Sequence, residues 1–147
     1  MVPLSPIARQ KNHGIAGDPL QALANRLRAE DTPISARVVD PPEPSQLTEL
    51  PPEYAFVVEA VREGYLLHYE QPRLLAGHDP DLALLAGDYL YALGLDRLAA
   101  LGDDRAVAIL ADLISQCARL HAEGDTQGIP DLWHQAAESI SLGASSA

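Results

Sequence analysis

An all-α fold, with four main helices preceded by a short N-terminal helix and a proline-rich linker, is predicted by three observations. Ala and Leu dominate a composition that is 47% hydrophobic and only 5% aromatic, which favours helix over sheet. From Tyr54 onward apolar residues recur at spacings of three and four, and no stretch alternates convincingly with a period of two. Asp18-Pro19, Asp79-Pro80 and Gly102-Asp103 then supply helix starts where the periodicity asks for them.

Residues 1–17 hold two prolines, two glycines and no periodic apolar pattern, and they read as an extended, mobile arm. Asp18 is placed to cap a helix over about 19–30, with Leu20, Leu23, Ala24 and Leu27 on one face. Residues 31–52 carry Pro33, Pro41, Pro42, Pro44, Pro51 and Pro52, a density that rules out helix and predicts an extended, partly polyproline-II linker. The domain boundary is placed there, giving an arm over 1–52 and a helical domain over 53–147. Tyr54, Val57, Val58, Val61, Tyr65 and Leu66 mark the next helix, which should end near Tyr69, ahead of Gln71-Pro72. After a loop at 70–78, Asp79-Pro80 starts a helix that runs to about Leu101. It is apolar on nearly every face, which predicts burial on several sides at the centre of the core. The following helix sets Val107, Leu110, Ile114, Cys117 and His121 on one stripe and ends at Gly124. A last helix begins around Pro130 with Leu132, Trp133, Ala136, Ala137 and Ile140, and should fray into the closing Gly-Ala-Ser-Ser-Ala.

The formal net charge of −11 is unevenly distributed: residues 1–40 hold five Arg/Lys against four Asp/Glu, residues 41–147 five against seventeen. An acidic body repels phosphate backbones and anionic membrane surfaces, so nucleic acid is not an expected partner and membrane insertion is not expected. The single cysteine, Cys117, permits no disulfide within one chain and fits a reducing compartment. With no apolar N-terminal stretch to read as a secretion signal and no uninterrupted membrane-length run, the expectation is a cytoplasmic protein.

One wording stands out. Leu85-Ala86-Gly87-Asp88-Tyr89-Leu90, the Leu-Gly-Asp turn at 101–103 and Ala-Glu-Gly at 122–124 follow one another on consecutive helices, and Leu67-His68 closes the helix before them. In that order these motifs resemble the trans-polyprenyl diphosphate synthases, over roughly residues 54–142. The resemblance implies a partial isoprenoid-synthase-like helical bundle and association through helices of this region. It also implies where the family's chemistry should sit, and there the chain departs from it. Tyr69-Glu70 follows Leu67-His68 in place of two aspartates, Glu138-Ser139 stands where a Lys-Thr pair is expected, and the second aspartate-rich motif has no counterpart. Ionising an allylic diphosphate requires neutralising the leaving pyrophosphate, and the resemblance implies magnesium held between two aspartate clusters for that task. A chain of this kind is therefore expected to be no enzyme by itself, with no catalytic, cofactor-binding or metal-binding residues and no cofactor.

The residues singled out are structural or interface candidates. Gly87 should permit close approach of another helix, and Asp88, among Leu and Tyr, should be buried and paired with an arginine or a helix N-terminus. Tyr65, Tyr89 and Trp133 read as core aromatics, and Leu85 and Ile114 as apolar contact positions. His68, His78, His121 and Glu123 lack metal-ligand spacing. The first functional expectation is a non-catalytic accessory or scaffold subunit whose apolar helices pack against partner chains, as a homo- or hetero-oligomer. The alternatives are the small subunit of a heteromeric polyprenyl diphosphate synthase, and a binder of an apolar isoprenoid or quinone tail in a cavity lined by Leu66, Leu85, Tyr89 and Ile114.

Overall fold

Asp18 opens the first helix, α1 (Pro19–Ala29). Its carboxylate accepts the backbone N–H groups of Leu20 and Gln21 at 3.1 and 3.0 Å, and Pro19 brings a φ already suited to helix. The computed structural model describes residues 17–77 and 79–146; of the extended arm expected over residues 1–17, residues 1–16 lie outside them, as does His78. Four longer helices follow: α2 (Pro52–Tyr69), α3 (Pro80–Ala100), α4 (Asp104–Glu123) and α5 (Ile129–Ser146). Asp79 caps α3 through Leu82 N at 3.1 Å and Asp103 caps α4 through Ala106 N at 3.0 Å, while Gly124, at φ 73°, ends α4 in the left-handed conformation. Among the described residues there is no strand, only an isolated antiparallel bridge between Val38 and Leu75. The architecture is all-α. No helix of the described residues is long and apolar enough to cross a membrane.

The last helix outruns its expected end. It continues through the Gly-Ala-Ser-Ser stretch, and one turn before that stretch Arg105 of α4 donates to Ser139 O at 3.0 Å and to Ser139 Oγ at 2.8 Å.

The centre of the core is α2, not α3. Twelve of the eighteen residues of α2 are buried, against six of twenty-one in α3. One side of α2, with Val57, Val58, Val61 and Leu66, packs on Leu110, Leu113 and Cys117 of α4 and on Trp133 and Ile140 of α5. Its other side, with Phe56, Ala60 and Leu67, packs on Leu20, Leu23 and Leu27 of α1 and on Ala86, Leu90 and Leu93 of α3. A helix with neighbours on both sides needs apolar residues all round. The apolar excess of α3 instead reaches solvent, where Leu84 and Leu85 stand 57% and 63% exposed.

Helices α2 and α3 cross at glycines, as the sequence predicts for Gly87. A Cβ on Gly64 would lie 2.8 Å from Gly87 O, and one on Gly87 would meet the His68 ring. The proline-rich segment is docked. Val39 N donates to Leu74 O at 2.8 Å and Ala76 N to Arg37 O at 2.9 Å, Ser35–Arg37 forms a 3₁₀ turn, and Ile34 and Leu50 are buried. Together with α1, the segment expected as arm and linker contributes to the same core as α2 and α3.

Candidate functional site

The last turn of α2 presents Tyr65, His68 and Tyr69 to three other helices. The Tyr65 hydroxyl donates to Glu70 Oε2 at 2.7 Å and lies 2.8 Å from Nε2 of His121 on α4. A phenol has one proton, so His121 must be the donor of the second bond. Burial, and then the Glu70 carboxylate, push the Tyr65 hydroxyl well above the ordinary phenol range, so it stays neutral. Tyr69 stacks on the His121 ring at 4.1 Å, and Trp133 of α5 lies against Tyr65 at 5.6 Å. On the other side His68 Nε2 sits 3.2 Å from both Asp88 Oδ1 and Leu84 O, with its ring edge-on to Tyr91 at 5.0 Å. Four of the sequence candidates, Tyr65, His68, Asp88 and Trp133, thus belong to one aromatic and imidazole cluster joining α2 to α3, α4 and α5.

Asp88 is not buried as expected: its side chain is 66% exposed. Successive residues of a helix point about 100° apart, and with Gly87 turned against α2 its neighbour faces outward. Tyr89 donates its hydroxyl to Glu30, which is also paired with Arg26 at 2.8 Å, so this tyrosine ties α3 to α1. The residues expected to line an apolar cavity do not converge. Leu66 is in the core on α2, Leu85 is on the surface of α3, Tyr89 turns to α1, and Ile114 lies at the edge of the α4 packing. Among the described residues, no group of three or more His, Cys, Asp or Glu is placed to hold a metal ion.

Sequence reasoning missed the most unusual group. Glu59 and Glu63, one turn apart on α2, are 2% and 0% exposed. Arg73, from the loop after α2, folds back over both. Its Nε lies 2.9 Å from Glu63 Oε1 and its Nη2 2.9 Å from Glu59 Oε1, while Arg73 N and Leu74 N donate to Glu63 Oε2 at 2.7 and 2.9 Å. Glu63 therefore accepts three hydrogen bonds and sets the path of the loop. Glu59 is less well served: Ser45 Oγ donates to its Oε2, but the Oε1–Nη2 contact is not aligned for hydrogen bonding on either atom. Ser45 N donates in turn to Asp18 Oδ1 at 2.8 Å, tying the proline-rich segment to the α1 cap. The signal available in the sequence was a pair of i, i+4 glutamates in a helical stretch whose only other charge is Arg62, FVVEAVREGYLL.

Above Glu59 and Arg73 opens a cleft of about 550 Å³, walled by the proline-rich segment, α2 and α5. Trp133 lines it, and the exposed Arg62 guanidinium lies 5.7 Å from the indole centroid. A smaller cleft of about 210 Å³ lies between Arg37, Glu70 and the start of α3.

Cys117 is buried beneath this region. Burial pushes its thiol from the ordinary 9.0 up to about 11. The native protein is expected not to react with a disulfide reagent at pH 8 and to react fully once unfolded in urea; rapid labelling of the native form would contradict the burial. The same shift sets a pH dependence. The neutral thiol is favoured by folding, so its contribution to stability is complete below pH 9 and lost as pH rises through about 11, with Tyr65 and Tyr91 adding a loss above pH 10. Urea midpoints measured from pH 7 to pH 11 should fall only above about pH 9.

The chain matches no protein-family model, no curated protein and no solved structure.

Proposed function

We propose that this protein is a non-catalytic accessory subunit that presents α3 to a partner chain. The observation that carries the reading is the Leu84–Leu85 pair, more than half exposed on a helix whose other leucines are buried or half-buried. Single exposed leucines are ordinary; an adjacent pair is a starting point for a contiguous apolar contact surface. Asp81 and Asp88, four residues before and three after Leu85, flank the pair on the same exposed face. The complementary surface is an apolar groove with a basic rim. A second copy of this acidic chain meeting the same face would set carboxylates against carboxylates, which favours a heteromeric partner.

The polar cluster around Tyr65 fits this reading as support for the display. His68 holds the carbonyl of Leu84 and lies beside Asp88, fixing the exposed turn of α3 to α2. Tagged full-length protein should retain a stoichiometric partner from its native cells, and the Leu84→Asp/Leu85→Asp variant should lose it with unchanged helical circular dichroism. Recovery of the wild type alone as a monomer, or equal retention by the variant, defeats the proposal. The likeness to polyprenyl diphosphate synthases favours one particular partner: a larger chain carrying both aspartate clusters, with prenyl transfer detectable only when the two are mixed.

A further inference from the structure

The cleft over Glu59 and Arg73 lies on the α2–α5 side and takes no part in the α3 contact. Its volume, about 550 Å³, is that of a small-molecule site. Its charged lining is lopsided: Glu43, Glu49, Glu59 and Glu138 face two guanidinium groups, those of Arg62 and Arg73, with the imidazole of His134 beside them. Behind Glu59 the imbalance deepens. Glu63 shares the Arg73 guanidinium with Glu59, and Asp18, joined only through Ser45, adds a third carboxylate to the network without touching Arg73. The α1 N-terminus offsets Asp18, and two backbone N–H groups offset Glu63. Glu59 has neither. It has one hydroxyl and an off-line contact to Arg73, and both Glu59 Oε1 and Arg73 Nη2 are buried without a hydrogen-bond partner. Glu59 Oε1 is thus ion-paired to Arg73 at 2.9 Å without an aligned hydrogen bond, and a buried carboxylate that keeps acceptor capacity at the base of an open cleft is suited to a second cationic donor.

The walls restrict that donor further. Pro42 and Pro44 on one side and Trp133 on the other are apolar and rigid, and the indole face is a cation site held only loosely, at 5.7 Å, by an exposed arginine. We propose that this cleft binds a small organic cation, an amine or guanidine on a short apolar body. Its charged end reaches Glu59, and its body lies between the prolines and Trp133. Anions are repelled by the same lining, and a bare metal ion lacks the converging oxygen ligands it needs among the described residues.

Trp133 is the only tryptophan of the chain, so its fluorescence reports the cleft directly. Full-length protein is titrated with phenethylamine, agmatine and spermidine up to about 10 mM, with 3-phenylpropionate as the anionic control. A saturable change with at least one amine is expected, weakened by added salt and absent with the control. Glu138→Gln and Glu43→Gln, both at exposed positions, should each weaken binding about threefold, the scale of a surface ion pair. Glu59→Gln should abolish binding, and if that variant does not fold the two exposed variants decide. No saturable change with any amine, an equal response to the anion, or binding indifferent to salt and to both exposed variants overturns the proposal. The Leu84→Asp/Leu85→Asp variant should bind the amine as the wild type does, so this site and the α3 contact fail or stand separately.

Discussion

Glu63→Ala is expected to lower the stability of the fold by about 4 kcal/mol, the effect of breaking a buried charge pair from one side. The side chain is fully buried and accepts three hydrogen bonds, so its removal leaves two backbone N–H groups and the Arg73 Nε without acceptors. Each orphaned buried donor costs about 1–3 kcal/mol. Arg73 keeps a 24% exposed side chain and regains part of its hydration, which holds the total below the sum of the parts. Urea denaturation followed by circular dichroism should show a lower midpoint at unchanged slope, and the thermal midpoint should fall by roughly 10 °C. A loss under about 1 kcal/mol would mean that the loop is held by its apolar contacts, chiefly Leu74, and not by the carboxylate. Replacing Glu59, Glu63 and Arg73 together by Leu, Leu and Met should recover part of the loss and not all of it. The unpaired charges are gone, but the N–H groups of residues 73 and 74 still lack an acceptor.

What the sequence could and could not disclose follows from the range of each interaction. Asp18, Asp79, Asp103 and Gly124 act within one turn of their own positions, and every one of these helix ends falls where local chemistry puts it. Burial of whole helices is a long-range property and was misread. α3 is the more continuous apolar run, whereas Glu53, Glu59, Arg62 and Glu63 give α2 the look of a surface helix. Two of those charges are inside the protein because Arg73 and Ser45, both outside the helix, come back to meet them, and no periodicity within α2 encodes that. Asp88 was misread for a related reason: Gly87 marks the packed side of α3, so the adjacent residue had to point elsewhere. Tyr65 and His121, 56 positions apart, are joined only by the crossing of α2 and α4.

Gly64→Ala separates two opposed effects and is expected to be destabilising by about 2 kcal/mol. In an exposed helix the same change would stabilise by about 1 kcal/mol, since glycine is a poor helix former. At this crossing the new Cβ would stand 2.8 Å from Gly87 O and 2.8 Å from the Tyr91 ring. The carbonyl belongs to the backbone of α3 and yields only if the whole helix moves, placing the change at the upper end of the 1–3 kcal/mol typical of overpacking. Gly87→Ala meets first the His68 ring, a side chain able to swing aside, and its approach to the backbone, 3.0 Å from Gly64 O, is less tight than the 2.8 Å of Gly64→Ala, so it should lose less. Its consequence is local: His68 leaves Asp88 and Leu84 O, and the exposed turn of α3 loosens. Urea midpoints should therefore rank wild type above Gly87→Ala above Gly64→Ala. Partner retention should fall for Gly87→Ala by more than its stability loss accounts for. The reverse ranking, or a Gly64→Ala protein more stable than wild type, would show that α2 and α3 can part without loss and that their crossing does not hold the Leu84–Leu85 face in place.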